Sequence, residues 1–383
     1  MTTTAPVDAP VKTGFTYPAL DGLRGIAVLC VVLTHIGFQT GQTFRNDFGY
    51  LLARLDYGVT IFFLLSGFLL YSPFARAEMR GRPMPPVRTY FRNRALRILP
   101  AYWISVVVII RWTEGGSWNP VDILRQLLLL QVYSVGHLLR HLDQTWSLCV
   151  EVAFYVLLPV LARLSRGKGV RGQVWLLGSM AAIAIAWPVV TRAVGWPDER
   201  ISGIWLPQFL DWFALGMGLA VVRAWHDVEG RAKVLDQIGD AAWTCWTVAF
   251  LLLWLAATPL GGSRGLDLLT VGQLLTKHLL YAASATFLLL PAVFGAESRT
   301  PVRVFLESRV MRWLGEVSYG VFLWHLLVLR EFYEVTGHIT FDGHFLQAVV
   351  VVIPISLLVA WLSLRLVERP ALSLKRRWET AGR

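Results

Sequence analysis

The stretch LDGLRGIAVLCVVLTH, residues 20–35, sets Asp21, Arg24 and His35 in an otherwise apolar run. Arg24 and His35 stand 11 residues apart, and 11 helical steps return to within about 20° of the same face. Asp21 falls about 40° to the other side of His35, so one polar stripe would run along the helix. Ionisable side chains within an apolar run are costly and mark candidate functional positions. An imidazole can take a proton near neutral pH, and a guanidinium can hold an anion. A plainer reading pairs Asp21 with Arg24 at the helix start and bonds His35 to a carbonyl.

Other strings carry the same kind of signal. In WSLCVEVAFY, residues 146–155, Ser147, Glu151 and Tyr155 repeat at i, i+4 and share a face behind Trp146. A carboxylate that orients an imidazole and stabilises its cation is what a general base needs, so Glu151 is expected beside His35. In SYGVFLWH, residues 318–325, Ser318, Phe322 and His325 share a face next to Tyr319. His325 there either packs across helices or meets substrate. In RNRALRILPAYW, residues 92–103, Arg94 and Arg97 form an i, i+3 fork suited to phosphate, close to Pro100 and Tyr102. Phe63, Ser66 and Gly67 read as helix-packing residues, and Glu368 with Arg369 and Pro370 as a cap or anchor of the last apolar run. The remaining histidines show no metal-binding helical spacing such as HExxH. Cys30, Cys149 and Cys245 are scattered, with neither a disulfide framework nor a metal motif. No metal is expected.

These residues need elements to position them, and composition says which kind. The chain has 383 residues, 55% apolar and 16% charged, with a mean hydropathy of +0.53; soluble domains carry about 25% charge. The net charge of +11 lies in short gaps between apolar runs rather than on a solvated face, which excludes a nucleic-acid-binding class. Runs of spanning length fall near 20–38, 57–73, 96–111, 146–164, 174–193, 205–222, 241–259, 272–294, 314–331 and 347–366. The loop before the third run holds Arg76, Arg80, Arg82, Arg88, Arg92, Arg94 and Arg97 against Glu78, and the loop near 163–173 holds Arg163, Arg166, Lys168 and Arg171. Both are therefore cytoplasmic by the positive-inside rule. Two cytoplasmic loops require an even number of crossings between them, so the shorter segment 121–135 is a non-spanning helix. The expectation is an all-α polytopic membrane protein of about ten transmembrane helices, with both termini cytoplasmic. It divides into a disordered N-terminus, 1–17, a transmembrane domain, 18–372, and a basic tail, 373–383.

Taken in order, the strings 20–35, FFLLSGFLL (62–70), 92–103, 146–155, 318–325 and VERP (367–370) resemble the bacterial acyltransferase type 3 family of integral membrane O-acyltransferases. The resemblance covers about 18 to 372 and implies transfer of an acyl group, acetyl or succinyl, from acyl-CoA to a hydroxyl of a cell-envelope carbohydrate or glycolipid. Acyl-CoA would be a co-substrate, with no bound cofactor. In that family the histidine matched by His35 is the catalytic base, and the glutamate matched by Glu151 is implicated with it. The arginines matched by Arg24, Arg94 and Arg97 are tied to the donor. Asp21, Tyr102, Trp146, Ser147, Tyr155, Ser318, Tyr319 and His325 stand as substrate or support residues. The chain departs from the family where a second acid often follows the first, since Val152 stands there. Members may carry a C-terminal hydrolase-like domain, and none is expected here. The partners implied are acyl-CoA, the hydroxylated acceptor and the lipids of the cytoplasmic membrane. The alternatives are O-acylation of a macrolide-like metabolite, or transport of a sugar or lipid by the same intramembrane charges.

Overall fold

The computed structural model describes residues 17–374 apart from 114–118, 135–140, 196–198, 231–232, 266 and 296–298. The expected disordered N-terminus, Tyr17 aside, and the basic tail beyond 374 lie outside the described residues. Each expected apolar run is a helix: α1 Pro18–Gln39, α2 Gly58–Met79, α3 Val87–Thr113, α4 Trp146–Ser165, α5 Gly169–Val194, α6 Leu210–Glu229, α7 Ala242–Ala256, α8 Val271–Val293, α9 Arg309–Thr336 and α10 Phe345–Ser363. There is no strand among the described residues.

Seven of these helices are long and apolar enough to cross a membrane, or eight if Lys233–Asp240 and α7, bent by 75°, form one span. The other two, α6 and α9, have 20 and 28 residues, about 30 and 42 Å of helix. They carry charge toward their ends, Arg223 and Asp227 on α6 and Arg312, Glu316 and Arg330 on α9, while their apolar stretches are buried. The chain is an all-α polytopic membrane protein. Lipid leaves no alternative for a helical chain of this kind, because every backbone N–H and C=O must be satisfied within its own segment.

The expected short segment coincides in its first half with the helix Pro120–Leu127, only 8 residues long, about 12 Å and too short to span. It starts cleanly because the Asn119 side chain accepts from the Val121 N–H at 3.0 Å and Pro120 occupies the first turn. Polar residues fasten it inward. The Gln126 amide donates to the Tyr102 hydroxyl at 3.1 Å and to Thr145 Oγ1 at 3.0 Å, and the Tyr102 hydroxyl donates to the Gln126 carbonyl at 2.6 Å.

Glycines decide two helix contacts. Gly67 lies on the Phe213 carbonyl and Gly216 on the Leu64 carbonyl, which locks α2 to α6. Gly315 lies on the Asp21 carbonyl and Gly25 on the Leu314 side chain and the Met311 carbonyl, which locks α1 to α9. A Cβ at Gly67, Gly216 or Gly315 would meet a backbone carbonyl, and one at Gly25 would meet the Leu314 Cβ, so only glycine permits the approach. The second contact brings the polar stripe of α1 against the SYGVFLWH face of α9.

Candidate active site

One end of the site is a cleft between α1, α2, α3, α4 and α9. Arg24 enters it from α1, and Arg94 and Arg97 enter from α3. None of the three guanidiniums has an ion-pair partner among the described residues, and the Arg24 Nε is buried without a hydrogen-bond acceptor. The carboxylate that shares the cleft, Glu151, is held by the Ser66 hydroxyl and by the Tyr155 hydroxyl, the latter at 2.5 Å. Three cations thus face one carboxylate in a partly desolvated space. Fork-shaped guanidiniums in such a setting favour a multiply charged anion such as phosphate.

Ser147, Ser318 and Tyr319 also line the cleft. The two serines turn their hydroxyls back to helix carbonyls, Ser147 to Gln144 at 3.0 Å and Ser318 to Gly315 at 2.8 Å. Tyr319 donates to the Ile98 carbonyl at 2.9 Å and so ties α9 to the turn of α3 that carries Arg97. Tyr102 is fully buried in the Gln126 network, away from this lining, and Trp146 packs on Phe209 with ring centroids 5.5 Å apart. Asp21 is exposed at the cytoplasm-assigned start of α1, and its carbonyl seats Gly315.

The other end of the site is a histidine pair. His325 Nε2 stands 3.3 Å from His35 Nδ1. His325 Nδ1 faces the Phe322 carbonyl at 2.9 Å and the Val321 carbonyl at 3.0 Å, and His35 Nδ1 faces the Val31 carbonyl at 2.7 Å. Carbonyls only accept, so both Nδ1 atoms carry protons. A neutral His325 then offers its Nε2 lone pair to the His35 Nδ1–H, and the lone pair of a neutral His35 is left on Nε2. His325 is 1% exposed, and its ring has no freedom to abandon this arrangement cheaply. The cleft runs along α1 from Arg24 to Val31, the residue whose carbonyl orients His35.

The expected contact between Glu151 and His35 does not form. Glu151 is committed to Ser66 and Tyr155, and the aromatic side chains of Phe62 and Phe322 line the space beside it. Asp56, in the turn that leads into α2, is the carboxylate of a separate cluster. It is bonded by Lys277 Nζ at 2.7 Å and by the Tyr281 hydroxyl. Asp56 sits immediately before the second apolar run, where its charge reads as a loop residue.

Three further residues join the site without a legible sequence signal. Ser66, which reads as a packing residue, is a donor to Glu151. Gln144 donates to the Phe322 carbonyl at 3.3 Å and the Leu323 carbonyl at 3.2 Å, steadying the backbone that holds His325. Glu368, expected to cap or anchor the last span, is 2% exposed in a π-turn, Leu364–Glu368, and both its carboxylate oxygens lack hydrogen-bond partners. Such turns concentrate at functional sites.

A family model described as an acyltransferase domain matches residues 17–365 of the chain. Among curated relatives, the chain is 29% identical to acyltransferase MdmB of Streptomyces mycarofaciens, over 84% of this chain and 81% of that protein. It is 25% identical to the exopolysaccharide production protein ExoZ of Rhizobium meliloti, over 71% and 76% of the two chains. It is also 22% identical to the peptidoglycan O-acetyltransferase OatA of Listeria monocytogenes, over 82% of this chain but 49% of that longer protein. No solved structure matches the chain.

Proposed function

The chain belongs to the acyltransferase type 3 family of membrane proteins, and on that premise we propose that it moves an acetyl or succinyl group from acyl-CoA to a hydroxyl of a cell-envelope carbohydrate or glycolipid. Membership makes it an acyltransferase rather than the transporter that the same intramembrane charges would also have suited. The observation that carries the finer reading is the division of α1 itself: an unpaired Arg24 in the cleft, and, one turn beyond the Val31 end of that cleft and outside its lining, a His35 whose Nε2 is left free to accept a proton. The two lie about 16 Å apart by helical rise.

In this reading Arg24, Arg94 and Arg97 hold the phosphates of the donor, and its flexible thioester arm extends along α1 toward Val31. His35 Nε2 takes the proton from the acceptor hydroxyl as that oxygen bonds to the thioester carbon. The C–S bond then breaks, and the imidazolium returns the proton to the departing CoA thiolate. The Val31 carbonyl, which accepts the His35 Nδ1–H at 2.7 Å with His325 Nε2 beside it at 3.3 Å, fixes the tautomer that leaves His35 Nε2 basic. Base assistance of this sort supplies about 10² to 10⁴ in rate, and positioning supplies more.

The names of the relatives support a carbohydrate acceptor, since one is a peptidoglycan O-acetyltransferase and another an exopolysaccharide production protein. The arginine-rich loops support a donor end on the cytoplasmic side of the cytoplasmic membrane, with His35 toward the outer side. The test is transfer of label from radioactive acetyl-CoA or succinyl-CoA to envelope glycolipid and polysaccharide by the protein in nanodiscs. Alkali-labile label in the carbohydrate fraction is expected. Thioester hydrolysis or transfer only to amines would contradict the proposal.

A further inference from the structure

The loop joining α9 to α10 holds ligating side chains that acyl transfer does not use. His338, Asp342 and His344 each present a ligand atom, and these atoms lie within 4.8 Å of one another. The imidazoles of His338 and His344 stack, with centroids 3.8 Å apart and planes 16° apart. The Asp342 Oδ2 stands 3.4 Å from His338 Nδ1. We propose that these three residues form a binding site for a divalent transition metal of the zinc type.

The hydrogen bonds leave a place for a cation. His338 Nε2 lies 3.2 Å from the Gln347 Oε1, so Nε2 carries the proton, and a neutral ring then turns its Nδ1 lone pair toward the Asp342 carboxylate. A metal ion or a proton between these two electron-rich atoms would relieve their repulsion, and the experiment below distinguishes the two. Asp342 Oδ2 accepts from the Ile339 N–H at 3.0 Å, whereas Oδ1 is buried with no partner. The Tyr333 hydroxyl, in the field of the same carboxylate, is also buried and unpartnered. The nearby cation, Arg45, is engaged with the Phe341 carbonyl at 3.4 Å.

The backbone is bent to make this grouping. Phe341 and His344 have φ of 69° and 62°, with Gly343 between them at 106°. Non-glycine residues adopt that region rarely, and such outliers persist where surrounding structure imposes them. Two imidazoles and one carboxylate match zinc, whereas magnesium and calcium take oxygen-rich shells. Bonds of about 2.0 to 2.2 Å put neighbouring tetrahedral ligand atoms about 3.4 Å apart. Closure onto an ion therefore requires the exposed His344 ring to rotate out of the stack.

An ion here would fasten more than the loop. The Phe341 N–H donates to the Gln39 carbonyl at 2.9 Å and the Gly343 N–H to the Thr40 carbonyl at 3.1 Å. Gln39 is one turn beyond His35 on α1. The metal would thus clamp the α9–α10 loop to the end of the helix that carries the proposed base. The inference does not rest on the acyl-transfer reading, because its readout is metal binding.

The experiment uses the full chain in detergent, freed of any histidine tag and treated with chelator, titrated calorimetrically with Zn²⁺ and spectroscopically with Co²⁺. One equivalent of Zn²⁺ should bind, Co²⁺ should give visible ligand-field bands, and the melting temperature should rise with Zn²⁺. Asp342→Asn and the His338→Ala/His344→Ala pair, checked for an unchanged melt without metal, should weaken binding by more than tenfold. Absence of stoichiometric binding by the unaltered protein would overturn the proposal, leaving a protonated His338 paired with Asp342. Equal binding by Asp342→Asn and by the double variant would overturn it as well.

Discussion

His325 on α9 presents Nε2 to Nδ1 of His35 on α1 at 3.3 Å, while its own Nδ1 is anchored on the Phe322 and Val321 carbonyls. The pair exists because Gly25 and Gly315 let the two helices touch backbone to side chain and backbone to backbone. A small-residue contact near the arginine end of the cleft therefore sets the register of the imidazoles near the other end.

That register is testable at the glycines. Gly315→Leu would drive a side chain into the Asp21 carbonyl. Overpacking of this kind costs about 1 to 3 kcal/mol, so a lower melting temperature is expected. Activity should fall further than the melt alone explains, since His325 moves with α9. A variant with wild-type melt and wild-type turnover would contradict the coupling.

His325 is a positioning residue in this account. His325→Ala should lower kcat while leaving the affinity for acyl-CoA unchanged, by no more than the about 10² to 10⁴ that base catalysis supplies. His325→Gln, whose side-chain oxygen can accept the His35 Nδ1–H, should recover part of the loss. A merely structural role would instead move the melt in both variants and would give no such rescue.

For the arginines the expected effect is on binding. Charge-assisted hydrogen bonds contribute about 1.5 to 3 kcal/mol each, or roughly 10- to 100-fold in affinity. Arg94→Ala and Arg97→Ala should weaken acyl-CoA binding by that factor, and rising salt should weaken it in the unaltered protein. Lysine at either position should restore only part, having no planar fork. Unchanged CoA affinity in the Arg94→Ala/Arg97→Ala double variant would place the donor elsewhere.

Glu151 divides charge from hydrogen bonding. Glu151→Gln keeps an acceptor for Ser66 and Tyr155, so the fold should be retained, while the field opposing the donor phosphates is lost. Tighter CoA binding is the expected outcome, and an unchanged affinity would remove Glu151 from the donor site. Glu151→Ala should in addition lower the melt, because two hydroxyls lose their acceptor.

The helices and the stripe on α1 were readable from apolar runs and from an 11-residue spacing, since both are properties of one segment. The arginine fork was readable for the same reason. What failed was the partner of His35. Membrane depth puts Glu151 and His35 in the same half of the bilayer, but the rotation of α4 about its own axis depends on contacts with α2 and α3. That rotation turns Glu151 to Ser66 and leaves His325 beside His35. VERP ends an apolar run, so its spacing predicts a cap or anchor at Glu368. The burial of Glu368 follows from a π-turn that no spacing announces.

The most direct test compares His35→Ala with the unaltered protein, measuring acyl-CoA affinity and acyl transfer on the same nanodisc preparation. The account predicts unchanged affinity, an unchanged melt, and transfer lowered by at least about 10²-fold. Transfer at the unaltered rate would remove His35 from the chemistry and contradict the mechanism.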